Sequence, residues 1–184
     1  MMGKWWLVTF GTYGQWLPGD PRGFKTWRAS RYIPPPEGKS HFGEPTYNPD
    51  DFRDEHERAK ETVQTPVTFS TEQRTIVAQA IANDIESLPM TPAILAVAGA
   101  HVHLIAKFGG LKIRPTVGRF RFAATQMLHE NGFVGHFWAK GCHMESLPDE
   151  EAFLQAFEYA KSHEAEGAII KIWQLLYGDD VLPF

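Results

Sequence analysis

Ala93-Ile94-Leu95-Ala96-Val97-Ala98-Gly99-Ala100-His101-Val102-His103-Leu104-Ile105-Ala106-Lys107-Phe108 decides how this chain folds. Two apolar runs, 93–98 and 101–108, are separated only by Gly99-Ala100, which leaves room for a chain reversal and nothing longer. They read as an antiparallel hairpin. The second run alternates in character, and a period of two sends His101 and His103 to one face while Val102 and Leu104 point to the other.

Outward from the hairpin the pattern turns helical. Upstream, Ser70-Thr71-Glu72-Gln73 has the spacing of a capping box, and Val77, Ile81, Ile85 and Leu88 repeat behind it, which predicts an amphipathic helix to about Leu88. Downstream, a helix is predicted from near Pro115 to Asn131-Gly132, with Phe120, Ala124, Met127 and Leu128 inward. Phe137 to Ser146 reads as a further strand. Pro148-Asp149-Glu150-Glu151 places acids where a helix macrodipole is positive, so another helix runs to about His163. A last helix is predicted near Ala165 to Tyr177.

At the front, Trp5 to Thr12 is aromatic and β-branched and ends in glycine-rich punctuation, the marks of a first strand. Prolines 18, 21, 34, 35, 36, 45 and 49 then deny the chain any sustained period as far as Pro66, and only Asp50 to Glu61 suggests a short helix. There is no internal repeat and no second core. The reading is α+β: a single domain over residues 1–184, an antiparallel sheet flanked by helices, with a long proline-rich and charged insertion at about 20–65.

At 184 residues the chain can bury one proper core. Cys142 is its single cysteine, which rules out an internal disulfide and a cysteine-rich zinc site and suits a reducing compartment. Trp5 to Phe10 is too short to span a bilayer and lacks a signal-peptide layout, so the sequence points to the cytoplasm. The net charge of -4 conceals a segregation. Residues 101–143 hold Lys107, Lys112, Arg114, Arg119, Arg121 and Lys140 against Glu130 alone, while the acids gather in 41–100 and 144–184. A local positive field can hold a phosphate chain on an acidic molecule, although a solvated charged face has the same composition.

Two constellations carry chemistry. On a strand, His101 and His103 can supply adjacent positions of a divalent metal, or they are two half-buried histidines bonded to backbone. On the late helix, Tyr159 and His163 stand one turn apart on one face, at the margin of the buried Phe153, Ala156, Phe157 and Ala160 stripe. They can reach an object on the sheet, or Tyr159 is a core-edge tyrosine with its hydroxyl in water. Taken together, three imidazoles make a nitrogen site with open positions, as hydrolytic and transfer reactions require. A phenol beside it is a candidate nucleophile, although its ordinary pKa of about 10 calls for help at neutral pH.

These segments resemble the single-tyrosine HUH transposases, in particular the REP-associated tyrosine transposases and their single-strand insertion-sequence relatives. Phe10-Gly11-Thr12-Tyr13-Gly14-Gln15-Trp16-Leu17-Pro18-Gly19-Asp20 looks like the first strand and following loop of one branch, and Gly99 to Ile105 looks like its histidine-hydrophobe-histidine strand. Phe137-Trp138 followed by Asp149 to Gly167 looks like its tyrosine-helix portion.

The resemblance implies an HUH endonuclease fold with a ferredoxin-like or RRM-like core, and Mg2+ or Mn2+ on His101, His103 and His163. It implies attack of Tyr159 on a scissile phosphate of single-stranded or hairpin DNA. The products would be a 5′-phosphotyrosine intermediate and a free 3′-hydroxyl, in a monomer or homodimer. Lys107, Lys112, Arg114, Arg119 and Arg121 would line the DNA. Relatives often carry Asn or Gln where this chain has His163, and a third imidazole shifts preference toward Mn2+ or Zn2+. Two other functions compete: a domesticated, non-cutting DNA-binding protein on the same fold, and a three-histidine metallophosphoesterase for which Tyr159 is dispensable.

Overall fold

Stretches of period two form strands and stretches of period 3.6 form helices in a computed structural model that describes residues 4–15, 17, 24–25, 32–33, 53–62 and 65–173. The elements run β1 (Trp5–Gly11), β2 (Phe24–Lys25), β3 (Tyr32–Ile33), α1 (Arg53–Thr62), α2 (Thr71–Glu86), β4 (Thr91–Val97), β5 (His101–Lys107), α3 (Ile113–Glu130), β6 (His143–Leu147), α4 (Glu150–Ser162) and β7 (Ile169–Ile172). A 3-10 turn over His163–Glu166 joins the last two.

The chain divides into two units. Residues 13–66 form one, in which β2 and β3 pair antiparallel and α1 is described. The other, residues 1–12 with 67–184, holds a five-stranded antiparallel sheet in the order β6-β1-β5-β4-β7. The architecture is α+β, as the alternation of patterns predicts.

The sheet has an apolar filling on each face. Val8, Phe10, Leu95, Val97, Val102, Leu104 and Ala106 pack under α2 and α3, against Val77, Ile81, Ile85, Val117, Phe120, Ala124 and Leu128. Trp5, Leu7, Ile94, Ala96 and Ile105 pack on the other face under Phe153, Ala156 and Ala160 of α4. Full burial of a side chain such as Phe120 or Ile81 contributes about 1.5–3 kcal/mol, so the larger face anchors the sheet. The smaller one is thinned by alanines at α4, which let that helix lie close.

Local chemistry starts and stops the helices where the residues say. Ser70 and Gln73 form a reciprocal capping box at α2, and the Asp149 side chain accepts from the Ala152 backbone amide at 2.9 Å to start α4. Pro115 sits in the first turn of α3, where amide hydrogens lack helical partners anyway.

Two expectations are corrected. No helix spans Ala165 to Ile172. Gly167 takes a φ of +79°, a left-handed conformation that stops the turn, and Ile169 to Ile172 then pair with β4 as an edge strand. The three β-branched isoleucines suit that edge, and an available pairing partner overrides the helical spacing. The remainder of the predicted helix, residues 174–177, lies outside the described residues. The second correction concerns 137–146: Trp138 makes an isolated bridge to Thr12, Gly141 turns at a φ of +76°, and regular strand begins only at His143.

Candidate metal centre

The register of the hairpin places the histidines. In β5, His103 faces Thr9 of β1 on one side and Ala96 of β4 on the other, so these side chains project from the face that α4 covers. His101 projects from the same face two residues earlier. Ala96 and Ala160, both fully buried, leave room for imidazoles between sheet and helix.

α4 delivers the remaining groups. It descends onto β4 and β5, and its last turn brings Tyr159 and His163 over the histidine strand. Ring centroids separate His101 from His103 by 4.6 Å, His101 from His163 by 4.9 Å and His103 from His163 by 4.7 Å. One nitrogen from each of the three histidines falls within 4.8 Å of the others. Tyr159 stands edge-on to His103 at 5.2 Å and to His163 at 4.9 Å between centroids, and it is 52% exposed. The four positions singled out in the sequence therefore converge.

Hydrogen bonds orient the donors. His163 Nδ1 lies 2.9 Å from the backbone carbonyl of Tyr159. A carbonyl only accepts, so Nδ1 carries the proton and Nε2 is the nitrogen left to bind a metal. His103 Nδ1 lies 2.8 Å from the buried hydroxyl of Thr9, and its Nε2 is buried with no hydrogen-bond partner among the described residues. An unsatisfied buried nitrogen is costly unless something occupies it, and a metal ion is the occupant that three clustered imidazoles suit. His163 also caps the C-terminal end of α4, where the helix dipole favours a cation. The residues present thus fit a divalent metal.

The electrostatics follow burial. His103 is 3% exposed, and desolvation, reinforced by His101 and His163, pushes its pKa down to about 2, which holds it neutral and ligand-competent. Burial raises the Tyr159 phenol above its ordinary value, and the Glu166 carboxylate raises it further. Thr9 and Glu166 were not legible as site residues. Thr9 depends on strand register, and Glu166 falls seven residues after Tyr159, a helical repeat that could have marked it.

The basic residues are distributed differently. Lys107 lies on the histidine face at the far end of β5, its Nζ 4.8 Å from the Trp5 ring. Lys112 and Arg114 stand exposed at the start of α3, which packs on the opposite face of the sheet from the histidines. Arg119 Nε donates to both Asp84 carboxylate oxygens at 2.8 and 2.9 Å, and Nη2 reaches Ser87 Oγ at 2.9 Å. Arg121 donates to the Gly141 carbonyl and lies over the Phe10 ring. The structure does not bring the α3 cations together with the histidines. Among the described residues no helix is long and apolar enough to cross a membrane.

No protein-family model matches the chain, and no curated protein sequence does either. Among solved structures, a REP-associated tyrosine transposase bound to a REP hairpin is similar, with a TM-score of 0.51 over 91% of this chain and 70% of that one, at 10% sequence identity. At that identity the likeness is one of fold: this chain is built on the α+β architecture that the transposase also has.

Proposed function

We propose that this chain is a metal-dependent single-stranded DNA endonuclease and strand transferase of the HUH transposase kind, with the segment at about 20–65 as an insertion. The observation that carries the reading is the packing of the half-exposed Tyr159 ring against His103 and His163 of a three-histidine cluster. Like the hairpin-bound transposase that shares its fold, the protein takes single-stranded or hairpin DNA.

His101, His103 and His163 hold Mg2+ or Mn2+. When bound, such a cation supplies positive charge that neutralises a phosphate and favours the phenolate, the species which burial and Glu166 disfavour. Tyr159 Oη attacks the scissile phosphorus, a tyrosine–phosphate bond forms and the bond from phosphorus to the 3′-oxygen breaks. The 3′-oxygen leaves with a proton as a free hydroxyl. One phosphodiester replaces another, so attack by a second 3′-hydroxyl reverses the step and rejoins strands without an external energy source. Lys107 contacts the strand on the histidine face. Lys112 and Arg114 hold a paired portion of the DNA on the far side of the sheet, where the Arg119 charge is already met by Asp84 and Arg121 is turned to the Gly141 carbonyl.

The test is an incubation with labelled single-stranded DNA bearing an imperfect palindrome, with Mn2+. A denaturant-resistant protein–DNA band is expected, lost with chelator and lowered at least about 10³-fold by Tyr159→Phe. Tight binding without a band in the parent would instead favour the non-cutting DNA-binding protein. Metal-dependent hydrolysis of a small phosphodiester by the Phe variant would favour the metallophosphoesterase.

A further inference from the structure

Thr9 is a buried polar residue, 8% exposed, in the middle of a strand otherwise filled with Trp5, Leu7, Val8 and Phe10. A valine would fit the same space and suit the strand equally well, so the hydroxyl needs a reason. Its Oγ1 lies 2.8 Å from His103 Nδ1, and the register places the two residues directly opposite. His103 is the most deeply buried of the three clustered histidines, and its Nε2 has no hydrogen-bond partner among the described residues.

We infer that Thr9 is a positioning residue for the metal centre: its hydroxyl accepts the Nδ1 proton of His103 and aims the Nε2 lone pair at the ion. The inference rests on the metal reading but not on DNA cleavage. A metal on Nε2 forces the imidazole proton onto Nδ1, and a buried N–H facing a methyl group instead of an oxygen loses its partner. Outer partners of this kind carry about 10- to 100-fold of metal affinity. His163 solves the same problem with the Tyr159 carbonyl, a partner that no substitution of a side chain removes. Thr9 is the one accessible to mutation.

The test is titration of the metal-free protein with Mn2+ alone, followed by calorimetry, for the parent, Thr9→Val and Thr9→Ser. Thr9→Val should bind about 10- to 100-fold more weakly, and Thr9→Ser, which restores the hydroxyl, should recover most of the loss. A role in folding alone would lower the melting temperature of the metal-free valine variant and leave its Mn2+ affinity unchanged, which would overturn the inference. So would equal weakening in the serine and valine variants. If the parent itself binds no Mn2+, the metal reading fails first. Nitrogen NMR of the parent loaded with Mg2+ or Zn2+ gives a check that needs no variant. It should show His103 protonated on Nδ1 with a slowly exchanging proton, and coordination through Nδ1 would contradict the assignment.

Discussion

At the scale of single residues, burial widens the pH range over which two groups of the site stay uncharged. His103 is kept neutral by burial first and by its two histidine neighbours second, with its pKa lowered to about 2. In the unfolded chain it titrates near 6.5, so the unfolded state takes up the extra proton as pH falls below that value. Stability is therefore full above about pH 6.5 and declines from there toward pH 2, by at most about 1.4 kcal/mol per pH unit. Thermal melts of the metal-free protein between pH 7.5 and 5 should show this slope, and His103→Gln should flatten it. The Tyr159 pKa moves the opposite way to the same effect, since burial first and Glu166 second keep it an uncharged phenol. Glu166→Gln removes a negative charge beside it, so the phenol should titrate at lower pH in that variant, as read by ultraviolet absorbance against a Tyr159→Phe background.

At the scale of elements, α4 is the part on which the centre depends. Its alanines set how near Tyr159 and His163 come to β5. Enlarging the fully buried Ala160 to Leu should cost about 1–3 kcal/mol by denaturant titration and also weaken Mn2+ binding, because the same helix carries His163. Ser70→Ala, which breaks the capping box of α2 on the other face, should cost about 1 kcal/mol and leave Mn2+ affinity unchanged. What the sequence reveals of these elements depends on whether the deciding contacts are local. The capping box, the Gly99-Ala100 reversal and the one-turn spacing of Tyr159 and His163 are short-range and legible. That α4 crosses onto the histidine face is a long-range fact, carried beforehand only by family resemblance. Ile169 to Ile172 misled for the same reason: the residues suit helix spacing and strand alike, and the open edge of β4 decides. Thr9 stayed hidden because one-residue register with β5 determines its neighbour.

At the scale of the whole molecule, charge and chemistry are separated. Sequence proximity joins His101 to the basic run that follows it, yet α3 carries Lys112 and Arg114 to the opposite side of the sheet from the histidines. Substituting Lys112 or Arg114 by Ala should weaken hairpin binding about equally for all sequences, and lower the slope of log affinity against log salt by about 1 each, without changing Mn2+ affinity. Filter binding across a salt series measures it. The most direct measurement is peptide mapping by mass spectrometry after reaction with a palindromic single strand and Mn2+. A nucleotide 5′-phosphate should be found on the peptide containing Tyr159 and on no other. Cleaved DNA with a free 5′-phosphate and an unmodified Tyr159, or the adduct on Tyr13, would contradict the proposed chemistry.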